Sequence, residues 1–116
     1  GVGWAGRDGA FLNRLRAGVE SRLGDEDFGV QSLADAMAMD RSSLYRRLSE
    51  TSGEGIEAML RRFRLERAAQ LLEARSGNVG EIAYAVGFKS VSHFCKTFRD
   101  RFGVTPGAWA NGKREG

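Results

Sequence analysis

The sequence predicts an all-α fold made of two similar halves. Apolar residues recur every three or four positions, which is the period of an amphipathic helix, and no alternating β pattern occurs between residues 10 and 110. One pattern also occurs twice, because the apolar positions of residues 33–39 recur in 82–88, 49 positions later. A second block matches at a shift of 50: Leu44, Leu48 and Gly53 with Phe94, Phe98 and Gly103. The simplest explanation is a duplicated unit of short helix, tight turn and second helix.

Apolar spacing predicts the helices in order. They run over residues 10–23, 31–37, 41–50, 55–74, 81–86 and 91–101, with a final helical turn near Pro106. In the first helix Phe11, Leu15, Val19 and Leu23 step by four, so its apolar side is expected to cover the first repeat. The helix over 55–74 is the longest. At 1.5 Å per residue it spans roughly 30 Å, so we expect it to hold the two repeats at a fixed separation.

Polar caps and glycines mark the helix ends. Asp40 and Ser90 each stand before a second helix of a repeat, where a side-chain oxygen can accept from the first free N–H groups. Asn78 followed by Glu81 has the spacing of a capping box. These signals predict the following division of the chain: a flexible N-terminal stretch (1–9), the first helix-turn-helix subdomain (10–54), a linker helix (55–74), the second helix-turn-helix subdomain (75–110) and a flexible tail (111–116).

Composition limits the class of protein. Apolar residues at 41% and charged residues at 28% are ordinary for a folded globular chain. The net charge is only +3, but its distribution along the sequence is uneven, since residues 41–67 contain seven arginines and only four glutamates. Such a basic stripe is typical of surfaces that bind phosphates. The chain does not begin with Met, so we interpret it as part of a longer protein with a further sensing or regulatory region.

Catalytic, metal and membrane functions find no support in the residues. Cys95 is the only cysteine, which excludes an intrachain disulfide, and no run approaches the roughly 20 apolar residues of a membrane span. Two residues apart on a helix, His93 and Cys95 diverge by about 200° and cannot form a nucleophile–base pair. We therefore expect a cytoplasmic protein that is not an enzyme, with no catalytic residue, metal or cofactor.

The second helix of each repeat has a polar outer face. Opposite Leu44 lie Ser42, Ser43 and Arg46, and the later helix presents Ser92 and Lys96, with His93 and Arg99 more oblique. Each face offers a long cation beside small hydroxyls, a set suited to guanine edges and phosphates. A solvated surface explains one such face equally well. Its repetition at corresponding positions favours recognition of DNA.

Two runs carry a family resemblance. The sequences LERAAQLL (65–72) and VGEIAYAVGFKSVSHFCKTFRDRFGVTP (79–106) closely resemble the signature of AraC-type transcription regulators, and the similarity extends more loosely over residues 8–110. It implies an all-α domain of about seven helices, with two helix-turn-helix subdomains joined by a long linker helix. It further implies that the recognition helices enter successive major-groove segments of double-stranded promoter DNA, and that transcription is activated through RNA polymerase.

The family's contact positions can be transferred one by one. The resemblance implies that the base-reading residues are Ser42, Tyr45 and Arg46 on the first recognition helix and Val91, Ser92, His93, Cys95 and Lys96 on the second. Phosphate contacts are expected from Arg41, Ser43, Arg47, Lys89 and Arg99. Two departures stand out: Ala38 replaces the turn glycine of the second repeat, Gly87, and Ser49 replaces a commonly basic residue.

Residues around Phe28, Val30, Met39 and Tyr45 also resemble the output domain of a response regulator or hybrid sensor kinase. The isolated domain is expected to be a monomer, with dimerisation of the full protein through a missing region. The alternative is a helical protein-interaction module that has kept this fold and lost DNA binding. The retained Arg46 and Lys96 argue against it.

Overall fold

Seven helices form the secondary structure of residues 7–25 and 27–112, which are the part of the chain that the computed structural model describes. They are α1 (Arg7–Glu20), α2 (Val30–Ala36), α3 (Arg41–Ser52), α4 (Ile56–Glu73), α5 (Val79–Ala85), α6 (Val91–Phe102) and α7 (Pro106–Ala110). No strand occurs within these residues. The predicted all-α fold is confirmed, with α2–α3 and α5–α6 as the two helix-turn-helix pairs.

The described residues divide into two compact units. Residues 7–22 and 28–63 form the first unit, and residues 23–25, 27 and 64–112 form the second. Helix α4 runs without interruption through the boundary, so each unit contains about half of it. The short segment after α1 belongs to the second unit, although in sequence it lies between two helices of the first.

The first unit packs α1, α2, α3 and the start of α4 around apolar side chains. Leu44 and Leu48 of α3 are buried, as predicted from the apolar face of this helix. The other buried apolar residues of the unit are Phe11, Leu15, Val19, Phe28, Leu33, Ala34, Met37, Ile56, Met59, Leu60 and Phe63. Burial of one side of α3 leaves its opposite, polar side in solvent.

Aromatic rings fill the second unit. Phe94 and Phe98 of α6 are fully buried, and the ring of Phe98 contacts those of Phe102 and Trp109 with centroids 4.5 and 5.6 Å apart. The indole N–H of Trp109 also donates to a carboxylate oxygen of Glu73 at 3.1 Å. These contacts fix α7 against α6 and against the end of α4.

The turns of the two repeats have the same hydrogen-bond geometry. The N–H groups of Ala38 and Met39 donate to carbonyls three and five residues earlier, at 3.1 and 2.9 Å. Gly87 and Phe88 make the same two bonds at 3.0 Å each. This pair of bonds defines the Schellman motif, whose central residue adopts a left-handed conformation. Accordingly φ is +56° at Ala38 and +93° at Gly87, so the repeat seen in the sequence is a repeat of structure.

Helix α1 differs from its predicted extent of 10–23. It begins at Arg7 and ends at Glu20, followed by a turn over residues 21–24. Leu23 continues the apolar spacing of the helix but lies in this turn, where the Arg22 N–H donates to the carbonyl three residues earlier instead of four. The Leu23 carbonyl accepts a hydrogen bond from Arg64. Residues 7–9 of the expected flexible N-terminal stretch are therefore helical, while residues 1–6 lie outside the described part. In the expected tail, 111–112 form a turn and 113–116 lie outside the description.

Candidate nucleic-acid interface

The cap of each recognition helix fixes its first turn. The Asp40 carboxylate accepts the Ser43 backbone N–H at 2.7 Å and the Ser43 hydroxyl at 3.1 Å. At α6 the Ser90 hydroxyl accepts the backbone N–H of His93 at 3.0 Å. Each helix ends on a glycine in the left-handed conformation, Gly53 or Gly103, with φ of +79° and +82°. These predicted caps and stops are confirmed, and they give the two exposed faces the same length and phase.

On α3 the predicted contact residues divide by exposure. Arg41, Ser42 and Arg46 are exposed, whereas Ser43 is half-buried with its N–H and hydroxyl engaged at the cap. Tyr45 is also half-buried. The face therefore presents two guanidinium groups and one hydroxyl to solvent.

Two of the predicted contact residues of α3 have neighbours within their own unit. The Tyr45 hydroxyl lies 2.9 and 3.0 Å from the two carboxylate oxygens of Glu57, so it donates to that carboxylate at the start of α4. The half-buried guanidinium of Arg47 stacks on the ring of Phe11 at 4.4 Å from its centroid. Sequence reasoning did not find these partners, because residues 12 or more positions apart meet only through helix packing.

Helix α6 shows a similar division. Ser92, His93, Lys96 and Arg99 are exposed. Val91 and Cys95 are half-buried and pack against the core cluster of the second unit, leaving part of each side chain outside. The imidazole of His93 is edge-on to Phe88, with ring centroids 5.6 Å apart. Lys96 and Arg99 supply the positive charge of this face, and Lys96 corresponds in the repeat to Arg46.

One predicted phosphate contact lies at the start of α6. The Lys89 ammonium is 3.7 Å from a carboxylate oxygen of Asp27, and both side chains are largely exposed. An ion pair so exposed is worth little and is screened by salt. Lys89 can therefore exchange Asp27 for a phosphate at small cost.

Arg64 has a structural role in the second unit. Its side chain is only 8% exposed, and one of its nitrogens donates to the carbonyls of Leu23 and Val86 at 3.0 and 2.8 Å. Burial lowers the pKa of this guanidinium, while the charge of Asp25 opposes the change. Arg64 thus joins the 23–25 segment to the turn before α6.

The described residues carry neither a membrane-spanning helix nor a metal-binding cluster. No helix there is long and apolar enough to cross a membrane. Nor does that part of the chain hold a group of three or more His, Cys, Asp or Glu side chains that could bind a metal ion. His93 is exposed whereas Cys95 packs against the core, so the two diverge as expected.

The fold and the two exposed faces define a double helix-turn-helix domain. A family model described as "Helix-turn-helix domain" matches residues 33–112. The chain is 33% identical over 104 residues to Histidine kinase P4 of Formosa agariphila, covering 90% of this chain and 8% of that protein. It spans about a third or less of the length of the first curated relatives that it matches.

Solved structures agree with this assignment. A transcriptional regulator of Chromobacterium violaceum with an AraC-type DNA-binding domain superimposes with a TM-score of 0.74 at 26% identity, covering 90% of this chain and 96% of that one. The DNA-binding domain of AdpA, a global transcriptional factor solved in complex with a target DNA, gives 0.77 at 28% identity, covering 90% and 92%. The chain belongs to the AraC-type helix-turn-helix family, a family of DNA-binding domains of transcription regulators rather than of catalytic domains.

Proposed function

We propose that this chain binds specific promoter sequences by placing α3 and α6 in successive major-groove segments of duplex DNA. The observation that carries the proposal is the exposure of Arg46 and Lys96 at corresponding positions of the repeat, each on the outer side of a helix whose other side is buried. A recognition helix contacts base edges from its N-terminal part. Both cations lie in the first half of their helices.

The exposed residues suit direct readout of bases. Arg46 can donate two parallel hydrogen bonds to guanine O6 and N7, and Lys96 can donate to the same acceptors. Ser42, Ser92 and His93 offer small or flat polar groups beside these cations, while Val91 and Cys95 present apolar edges to a thymine methyl group. Tyr45 has to exchange Glu57 for a base if its hydroxyl is to take part.

Cations and a hydroxyl at the margins are proposed to hold the phosphates. They are Arg41, Ser43, Arg47, Lys89 and Arg99, of which Ser43 has to exchange the Asp40 carboxylate for a phosphate. Four of these five carry positive charge. Each phosphate that a cation neutralises makes the slope of log affinity against log salt more negative by about 0.9, so we expect a slope of about −3 to −4.

The wider role rests on the relatives. Because one of them is a histidine kinase, we propose that this chain is the output domain of a hybrid sensor kinase or response regulator. It acts in the cytoplasm, is monomeric by itself, and activates transcription by contacting RNA polymerase, while dimerisation comes from a region beyond this chain. Residues 10–54 and 75–110 serve as the two reading subdomains, and 55–74 as their linker.

Alanine substitutions on a selected duplex test the reading role. The duplex is first selected from a random library, and affinities for it and for a scrambled duplex are then measured by fluorescence anisotropy. Arg46→Ala and Lys96→Ala should each lose about 1 to 3 kcal/mol of binding free energy through the base pair that the cation reads, so the selected duplex is affected more than the scrambled one. Arg99→Ala serves as the control and should weaken binding to both duplexes equally.

Two results would count against the proposal. If the first two variants lost affinity equally for selected and scrambled DNA, the base-reading assignment would be wrong. If the unmodified chain bound no duplex in a salt-dependent manner, a protein-interaction module would become the better explanation.

A further inference from the structure

The two recognition helices differ in the charge of their N-terminal caps. Asp40 caps α3 and Ser90 caps α6 at corresponding positions of the repeat, and both side chains accept the N–H three residues later. The hydrogen bond is conserved between the units, but only the first cap carries a carboxylate. Both capping residues are exposed. The stabilisation of the helix therefore does not require the charge, since serine supplies the same bond in the second unit.

Asp40 is ionised at neutral pH. Its pKa lies below the usual value, chiefly because the Ser43 backbone N–H and hydroxyl donate to the carboxylate, with the positive charge of Arg46 adding to the effect. Both carboxylate oxygens already accept a bond from Ser43. Ser43 thus occupies about half of the acceptor positions of this carboxylate, and the negative charge of the group remains.

The first turn of a recognition helix is the part that approaches DNA most closely. Its free N–H groups and positive dipole normally attract phosphate oxygens. At α3 the carboxylate cancels part of this attraction and repels the phosphates. At α6 the uncharged hydroxyl of Ser90 leaves the attraction in place.

We propose that Asp40 weakens the binding of α3 to DNA, so that the two motifs of one chain contribute unequally and α6 contributes more. This inference rests on the proposed function. It concerns the cap of the first recognition helix, which lies outside the base-reading and phosphate-binding residues proposed above.

Asp40→Asn is the decisive variant, because asparagine caps a helix about as well as aspartate does and removes the charge. Its single carbonyl oxygen can still accept the Ser43 N–H that Asp40 accepts, although the bond from the Ser43 hydroxyl to the second oxygen is lost. Glu50→Gln is the matched control, since it removes the same charge from the other end of the same helix. We expect Asp40→Asn to bind the selected duplex about three- to tenfold more tightly at low salt, from one or two phosphates relieved of repulsion. The gain should shrink at high salt, and Glu50→Gln should change affinity by less than about twofold.

Asp40→Ser, which reproduces the cap of α6, provides a second test and should give a similar gain. Circular dichroism melts establish that each variant is folded. Affinity of folded Asp40→Asn equal to that of Glu50→Gln would overturn the inference, and so would weaker binding, which would show that the carboxylate contacts a base. Either result leaves the proposed function intact if the unmodified chain still binds the duplex. Absence of any binding by the unmodified chain refutes both.

Discussion

The turn glycine of the second repeat gives the sharpest stability prediction. Gly87 has φ of +93°, and a Cβ atom built on it would lie 1.5 Å from a guanidinium nitrogen of Arg64 and 2.5 Å from the carbonyl oxygen of Leu23. Gly87→Ala therefore forces the guanidinium away from the Leu23 and Val86 carbonyls, to which it donates at 3.0 and 2.8 Å.

Two contributions set the size of the effect. A left-handed conformation costs an L-residue about 1 to 2 kcal/mol. Hydrogen bonds from a charged donor to buried acceptors contribute about 1.5 to 3 kcal/mol each. With one bond lost, we expect Gly87→Ala to lower the free energy of unfolding by about 2.5 to 5 kcal/mol.

Gly53→Ala is the matched control. Gly53 also has a positive φ, +79°, but a Cβ atom there would meet no other atom within 4 Å. The control therefore carries only the conformational cost, about 1 to 2 kcal/mol. The difference between the two variants isolates the collision with Arg64.

Urea unfolding followed by circular dichroism measures both variants and the pair Arg64→Ala and Arg64→Ala/Gly87→Ala. Removing the guanidinium removes most of the collision, so the double variant should be more stable than the sum of the single losses predicts. Equal losses in Gly87→Ala and Gly53→Ala, or strict additivity with Arg64→Ala, would refute the reasoning.

Three further predictions concern the first unit. Ala38→Gly should raise the free energy of unfolding by about 0.5 to 1 kcal/mol, since Ala38 has φ of +56°. The control, Ala36→Gly in the preceding helix, should lower it by about 1 kcal/mol. Urea unfolding that changed the free energy in the same direction in both variants would contradict this prediction. Hydrogen bonds from Ser43 hold the pKa of Asp40 below its usual value in the folded state. The ionised form therefore stabilises the fold above the pKa of the unfolded chain, and this stabilisation is lost as pH falls through the lowered folded-state pKa. Asp40→Asn should accordingly show a smaller drop in Tm between neutral and acidic solution, and identical drops would exclude this source of acid sensitivity. Tyr45→Phe should lower the free energy of unfolding by about 1 kcal/mol through loss of the bond to Glu57. The control Tyr84→Phe, at an exposed tyrosine, should leave it unchanged. Equal melting temperatures of the two variants would show that the bond contributes nothing.

Local signals in the sequence predicted local structure well. The caps at Asp40, Asn78 and Ser90 each depend on a side chain and an N–H three residues later, so their geometry follows from sequence spacing alone. The buried side of α6 was equally predictable, since Phe94 and Phe98 are one helical turn apart. In each case the interacting groups lie within one turn of the same helix.

Contacts between distant residues were not predictable from periodicity. The Tyr45 hydroxyl is bound to Glu57, and the Arg47 guanidinium is stacked on Phe11, a residue of another helix. Both groups are proposed to contact DNA, so each already has a partner in the protein. The end of α1 is a similar case. Leu23 fits the apolar spacing of that helix, yet its carbonyl is bound by Arg64, 41 positions away in the sequence.

The departure of Ala38 from the glycine of the second turn has a physical explanation in these contacts. Both turns place their central residue in the left-handed conformation and make the same two backbone hydrogen bonds. Conformation favours glycine at both positions, and alanine in the left-handed region costs only about 1 to 2 kcal/mol. At Gly87 a buried guanidinium and a carbonyl occupy the space of the missing methyl group, whereas Ala38 is exposed. The packing of Arg64, more than the turn itself, requires glycine in the second repeat, and an exposed first turn can retain alanine.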